Sequence, residues 1–326
     1  MTTQLVVSFL KLLQTHLKHK LPLQAMLGLL CLHFFSGCIF VSKNSKQSLE
    51  QVFQKQREKK LKQYINSHLS KAANIAFSKN GLVYFTELGA EETVKKMRLD
   101  LFSEPETFVS LPEWISPVDN TEPRAEGLRI DVNGRVLIAE SGTGKLLRMT
   151  PDARKLEVLA DSYDGYRFTT VKDLAIGKGD DLFVSSPFSA TVYRIRPKEG
   201  FVGILNDDLV RVEGICISPD GKRLVAAEPD ASRVVVFDIP EDLIPVESWT
   251  LVDFSPTGLE PKGLAFDNNG LLHVGLGGNQ EVRVFDLEEG RQLDVFDSGD
   301  DANVLRYFED YLYVAGGKGV RRFPFK

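Results

Sequence analysis

Along residues 72–326 apolar and polar positions alternate in short runs, and the runs recur. Ile75-Ala76-Phe77, Leu128-Arg129-Ile130, Leu174-Ala175-Ile176, Ile215-Cys216-Ile217 and Leu264-Ala265-Phe266 each have the period of two that marks a half-buried strand. Val304 is a sixth, weaker anchor. The anchors lie 53, 46, 41, 49 and 40 residues apart. Six places after each stands Gly81, Gly134, Asp180, Gly221, Gly270 or Asp310, residues that tolerate a turn at positive φ. Ten places after stands Phe85, Ile138, Val184, Val225, Val274 or Val314. Two columns kept across six units are an internal repeat.

Within a unit the second column opens another strand. Thr191–Ile195 and Arg233–Phe237 predict a third, and Leu156–Leu159, Val202–Leu205 and Leu293–Phe296 a short fourth. Four antiparallel strands every 40–50 residues make a propeller blade, and one blade cannot bury its own faces. The expectation is an all-β protein, a six-bladed β-propeller over 61–326. The sixth unit stops at a third strand, Val320–Phe325, so a segment before the first anchor is expected to close the ring, around Leu61–Ile65. Residues 98–123, with Pro105, Pro112 and Pro117, read as a long insertion able to cover one face.

The N-terminal residues follow a different pattern. Leu21–Ser42 holds no Asp, Glu, Lys or Arg and follows Lys18 and Lys20, so 1–42 reads as a signal peptide or membrane anchor. Phe35-Ser36-Gly37-Cys38 resembles a bacterial lipobox, which would make Cys38 a lipidation site. Residues 43–60 form a basic linker or helix; Lys43, Lys46, Lys55, Arg57, Lys59 and Lys60 so close to the apolar run favour a cytoplasmic flank. These readings place the protein at a membrane or exported, as a lipoprotein or through a single anchor.

Charge divides the chain at the same place. Residues 1–71 carry eleven Lys and Arg against two acids, +9, which leaves −14 for 72–326 under the total of −5. An acidic body excludes phosphate-backbone binding as a main function, so no nucleic-acid partner is expected. Cys216 stands alone in the body, which rules out an internal disulfide there, and reads as a small buried hydrophobe.

Two places before the anchors lie Ala73, Glu126, Lys172, Glu213, Lys262 and Ala302. Inner strands that open with charge before turning apolar place that charge at the channel mouth. Either the charges neutralise one another in water, or they form a ligand site. Here the chain resembles the gluconolactonase/senescence-marker-protein/luciferin-regenerating-enzyme family of six-bladed propellers, over roughly residues 72–326. Val171-Lys172-Asp173-Leu174-Ala175 is similar to that family's Pro-Asn-Asp-Leu-Ala, and Val212-Glu213-Gly214-Ile215 to its Pro-Asn-Gly-Ile. Pro261-Lys262-Gly263-Leu264 is similar to its Pro-Asp-Gly-Leu, and Glu126-Gly127 to its Glu-Gly.

The resemblance implies a divalent metal, usually calcium, on a Glu, an Asn and an Asp with a further Asn nearby, polarising a lactone carbonyl. The family's Glu falls on Ala73 or Glu126, its Asn positions on Lys172 and Glu213, and its Asp on Lys262. An ammonium has no lone pair to give, so loss of the calcium site is expected, and no cofactor is assigned. Other hydrolytic sets are thin. His273 is the one histidine of the body, no Gly-x-Ser-x-Gly elbow occurs, and Ser141–Lys145 reads as a hairpin turn.

Two functions follow. In the first, a divergent hydrolase acts on a small lactone or ester, with Glu126 or Glu213 as general base and Lys172 or Lys262 stabilising the oxyanion. A carboxylate beside ammonium groups is a weakened base, which counts against it. In the second, a membrane-tethered, monomeric propeller binds a small anion or a protein partner through Lys172, Asp173 and Lys262. A likeness to strictosidine-synthase-like membrane propellers is a third, weaker reading.

Overall fold

The computed structural model describes residues 69–100, 103–242 and 244–325. The anchor, the lipobox at Cys38, the basic linker and the closing strand at Leu61–Ile65 all lie outside these residues. Among the described residues no helix is long and apolar enough to cross a membrane.

The architecture is a six-bladed propeller built almost wholly from antiparallel strands. The inner strands are Ala72–Phe77, Ala125–Ile130, Leu174–Ile176, Ile215–Ile217, Glu260–Phe266 and Val304–Phe308. Among the described residues five blades carry four strands in meander order, and the sixth carries three, ending with Gly319–Pro324. The expected third and fourth strands form, with small extensions: Thr191–Arg196, Arg233–Asp238, Leu156–Ala160, Phe201–Asn206 and Gln292–Asp297.

One expectation is corrected. The segment read as an insertion supplies the fourth strand of blade one, Glu106–Ser110, paired with Ala90–Arg98. A single 3₁₀ turn, Leu111–Glu113, follows it, and Leu111 and Ile115 are buried between blades one and two. The prolines suggested a loop, but they flank the strand instead of interrupting it.

Apolar side chains gather in six clusters, one at each junction between blades. The junction of the last blade with the first holds Ile75, Phe85 and Met97 against Tyr313, Ala315 and Val320. Phe77 adds a stacked contact to Phe308, with ring centroids 5.0 Å apart. Among the described residues this packing joins the last blade to the first, at typical values of about 25 cal/mol per Å² of apolar surface buried. The outer strand of blade six also bonds backward: Val320 N–H donates to Leu69 O at 3.2 Å.

The repeat columns hold, with two shifts. In blades one, two, three and five the anchor pairs with the residue ten places on, as in Ile75 with Phe85. The hairpin of blade four is one residue longer, so Cys216 faces Val225. That of blade six is one residue shorter, pairing Leu305 with Val314 across a turn whose positive φ falls at Glu309, not Asp310. Leu305, fully buried, is thus the anchor of blade six in place of Val304.

Candidate functional site

Each inner strand enters at one end of the channel and runs to the other, so its first residues ring one mouth. A cavity of about 370 Å³ lies there, and Ala73, Glu126, Lys172, Glu213 and Lys262 all line it. The sixth position is Asn303. Ala302, expected there, is fully buried between blades five and six because the short hairpin shifts that strand by one residue. Asp173, Arg124, Glu91 and Arg306 complete the charged lining, four acids facing four bases.

Glycine after the ring residue is a packing requirement. A Cβ on Gly127 would stand 2.9 Å from Lys172 O, and one on Gly214 only 2.0 Å from Lys262 O. The Glu-Gly sequence therefore lets the next blade's inner strand approach closely enough to bring ring residues together.

The ring charges do not simply cancel one another. Lys172 Nζ is paired with Glu126, which also accepts from Ser141 Oγ at 3.2 Å. Glu213 is held by Arg211 at 2.8 Å, and Glu91 by Arg124 at 3.3 Å. Lys262 stands 3.6 Å from the exposed Glu260 carboxylate, beyond hydrogen-bond range. Of the ring cations it has the loosest partner. Surface pairs of this kind contribute roughly 0–1 kcal/mol each, so they tune the field more than the stability.

Below the ring, Asp173 takes a different part. Its Oδ1 meets Arg129 Nη1 at 3.1 Å and Arg306 Nη2 at 3.3 Å, while its Oδ2 accepts from Arg129 Nη2 and Ile215 N–H, both at 3.2 Å. Arg306 Nε and Nη1 donate to the carbonyls of Ile75 and Leu305 at 3.1 and 2.8 Å. This cluster ties blades two, three, four, six and one across the channel and divides it. Burial works to raise the Asp173 carboxyl, but the two guanidinium charges outweigh it and hold the group below the ordinary carboxylate range. Burial, then repulsion from Arg129, pulls Arg306 down to about 9.

Arg129 and Arg306 escaped the sequence reading because each occupies the polar half of a strand alternation, Leu128-Arg129-Ile130 and Leu305-Arg306-Tyr307. That pattern normally marks a solvent face. An innermost strand has none, and its polar residues face the channel.

The donor set does not fit calcium. Two of the four positions implied by the resemblance hold ammonium groups, and Glu126 and Glu213 already accept from Lys172 and Arg211. Hard oxygen ligation needs several free carboxylate or carbonyl oxygens. Among the described residues no three His, Cys, Asp or Glu gather as a metal would require.

The remaining candidates are structural in their contacts. Ser141–Gly144 is a hairpin turn clamped by the fully buried Glu140, whose Oε1 accepts from the N–H groups of Gly142, Thr143 and Arg124. His273, fully buried on the second strand of blade five, meets Asp267 at 3.2 Å through Nε2, while its Nδ1 has no partner. Cys216 is buried, and burial pushes its thiol upward.

Residues 157–305 match the family described as the SMP-30/Gluconolactonase/LRE-like region. A gluconolactonase of Zymomonas mobilis is 25% identical over 174 residues, 46% of this chain and 49% of that protein. The Arabidopsis thaliana protein strictosidine synthase-like 7 is 24% identical over 181 residues, 50% of this chain and 46% of that one. The chain thus spans about half the length of these curated relatives. The solved gluconolactonase XC5397 of Xanthomonas campestris superposes with a TM-score of 0.65 at 18% identity, covering 79% of this chain and 87% of that one. That likeness carries the fold.

Proposed function

Starting from a six-bladed propeller that carries an SMP-30/gluconolactonase/LRE-like region over residues 157–305, we propose that the ringed cavity binds a small, neutral, oxygen-rich molecule of the lactone or ester class and hydrolyses it without a metal. The observation that carries this reading is the balanced lining of four acids and four bases. A hydroxyl group both donates and accepts, so a wall of alternating carboxylates and cations suits a polyhydroxylated lactone better than a bare ion. Similarity to the Zymomonas gluconolactonase supports the substrate class.

In this reading Lys262, the loosely partnered cation, stabilises an oxyanion, and Glu213 takes a proton from water. Water attacks the carbonyl carbon, its proton passing to Glu213. The acyl C–O bond breaks, and the proton passes to the departing oxygen. One water is consumed and a hydroxy acid released.

A second reading is favoured by one specific observation: Glu126 and Glu213 are both ion-paired. Carboxylates so held are weak bases, and the same cavity would then hold its ligand through Lys172 and Lys262 without turnover.

Turnover of δ-gluconolactone by the full chain, in the presence of a chelator, separates them. The hydrolase reading expects turnover, lowered about a hundredfold in kcat/KM by Glu213→Gln and similarly by Lys262→Met. Lactone-dependent stabilisation with no turnover supports the second reading. Turnover that requires added calcium would overturn the metal-free mechanism.

A further inference from the structure

We infer that the channel end opposite the charged ring is a second binding site, for a small amphipathic carboxylate whose carboxyl group sits on Arg129 and Arg306. This site is independent of the function proposed for the ring.

A cavity of about 500 Å³ opens at that end, where the inner strands finish. Its walls are mostly apolar, among them Ile176, Ile217, Leu264 and Phe266, and Arg129 and Arg306 both line it. Asp173, the carboxylate that these guanidinium groups share, lines the ring cavity instead. Arg306 reaches both cavities, whereas Arg129 lines the far one and not the ring, so the far end meets two cations of the cluster and the ring meets its anion with one. A buried guanidinium, Arg306, and a part-buried one, Arg129, share one carboxylate, and excess positive charge away from water is costly.

The one carboxylate lining this cavity has its oxygens turned to partners of its own. Asp267 lines the cavity, but its Oδ1 accepts the N–H groups of Asn269 and Leu271, both at 2.9 Å, and its Oδ2 faces His273. The Cys216 thiol, also on the wall, is held protonated by burial. Tyr307 donates its hydroxyl to Phe325 O at 3.0 Å. A cationic floor under apolar walls selects an anion with an apolar body. It disfavours metal ions by charge, and small inorganic anions by the walls they would leave unfilled.

Octanoate, acetate and octan-1-ol, titrated separately into the full chain by calorimetry and melting temperature, test the site. Octanoate is expected to bind and stabilise, with acetate and octan-1-ol each at least roughly tenfold weaker, since each lacks one half of the recognition. Arg129→Gln should abolish octanoate binding. Because that variant opens a buried cluster, Asn268→Glu on the exposed rim provides a milder one, expected to weaken octanoate several-fold by repulsion. Lys262→Met, at the other mouth, should leave octanoate affinity unchanged. Octan-1-ol binding as tightly as octanoate, affinity indifferent to Asn268→Glu, or loss of binding in Lys262→Met would each overturn the assignment.

Discussion

At its ring end the channel is lined by charges of both signs, while at the far end it offers apolar walls over two guanidinium groups. The same six inner strands build both. The difference arises within one strand length: Glu126, Lys172, Glu213 and Lys262 precede the anchors, whereas Ala175, Cys216 and Ala265 follow them. Between the two ends Arg129, Asp173 and Arg306 partition the charge. One scaffold can thus carry two unlike surfaces when a buried ion cluster keeps their fields apart.

The partition is the most sensitive part. Asp173→Asn removes the carboxylate shared by the buried Arg306 and the part-buried Arg129, and should cost about 3–5 kcal/mol of stability in denaturant or thermal melts. A cost under about 1 kcal/mol would mean that the cluster is solvated and the two ends share one field. Because the Asp173 carboxyl lies below its ordinary value of 3.8 in the folded chain, its stabilisation is complete above that pH and is lost as pH falls through the folded value.

A smaller effect belongs to the far end. Burial, the largest influence, lowers His273 below its ordinary 6.5 despite the neighbouring Asp267. The unfolded chain therefore takes up that proton more readily than the folded one. Stability from this residue is complete above about pH 6.5 and declines as pH falls below it. His273→Gln should flatten the fall of melting temperature below about pH 6.5, and an unchanged slope would assign the decline to other groups. The smallest effect lies at the ring. Glu126→Gln breaks a half-exposed pair with Lys172 and should shift stability by less than about 1 kcal/mol, leaving octanoate binding untouched.

Much of this was legible from spacing alone. Two columns recurring across six strand-turn-strand units gave the blade count, and Glu126, Lys172, Glu213 and Lys262 were found by their offset from the anchors. The sixth ring position was misplaced because a hairpin one residue shorter leaves the composition of that column unchanged. The fourth strand of blade one hid between prolines. Arg129 and Arg306 looked like solvent-facing residues, and Arg211 and Arg124, the partners of Glu213 and Glu91, sit in connections with no repeat to mark them.

By itself the sequence determined the six-fold architecture, since strand period, turn residues and repeat length are local properties that each unit carries within its own 40–53 residues. It also determined four of the charges at the mouth, Glu126, Lys172, Glu213 and Lys262. Only the tertiary structure decided which charge pairs with which, and that the channel is divided. Asp173 meets Arg306 across 133 positions of chain, and a contact between side chains that far apart is set by the closing of the circle, not by any pattern along the strand.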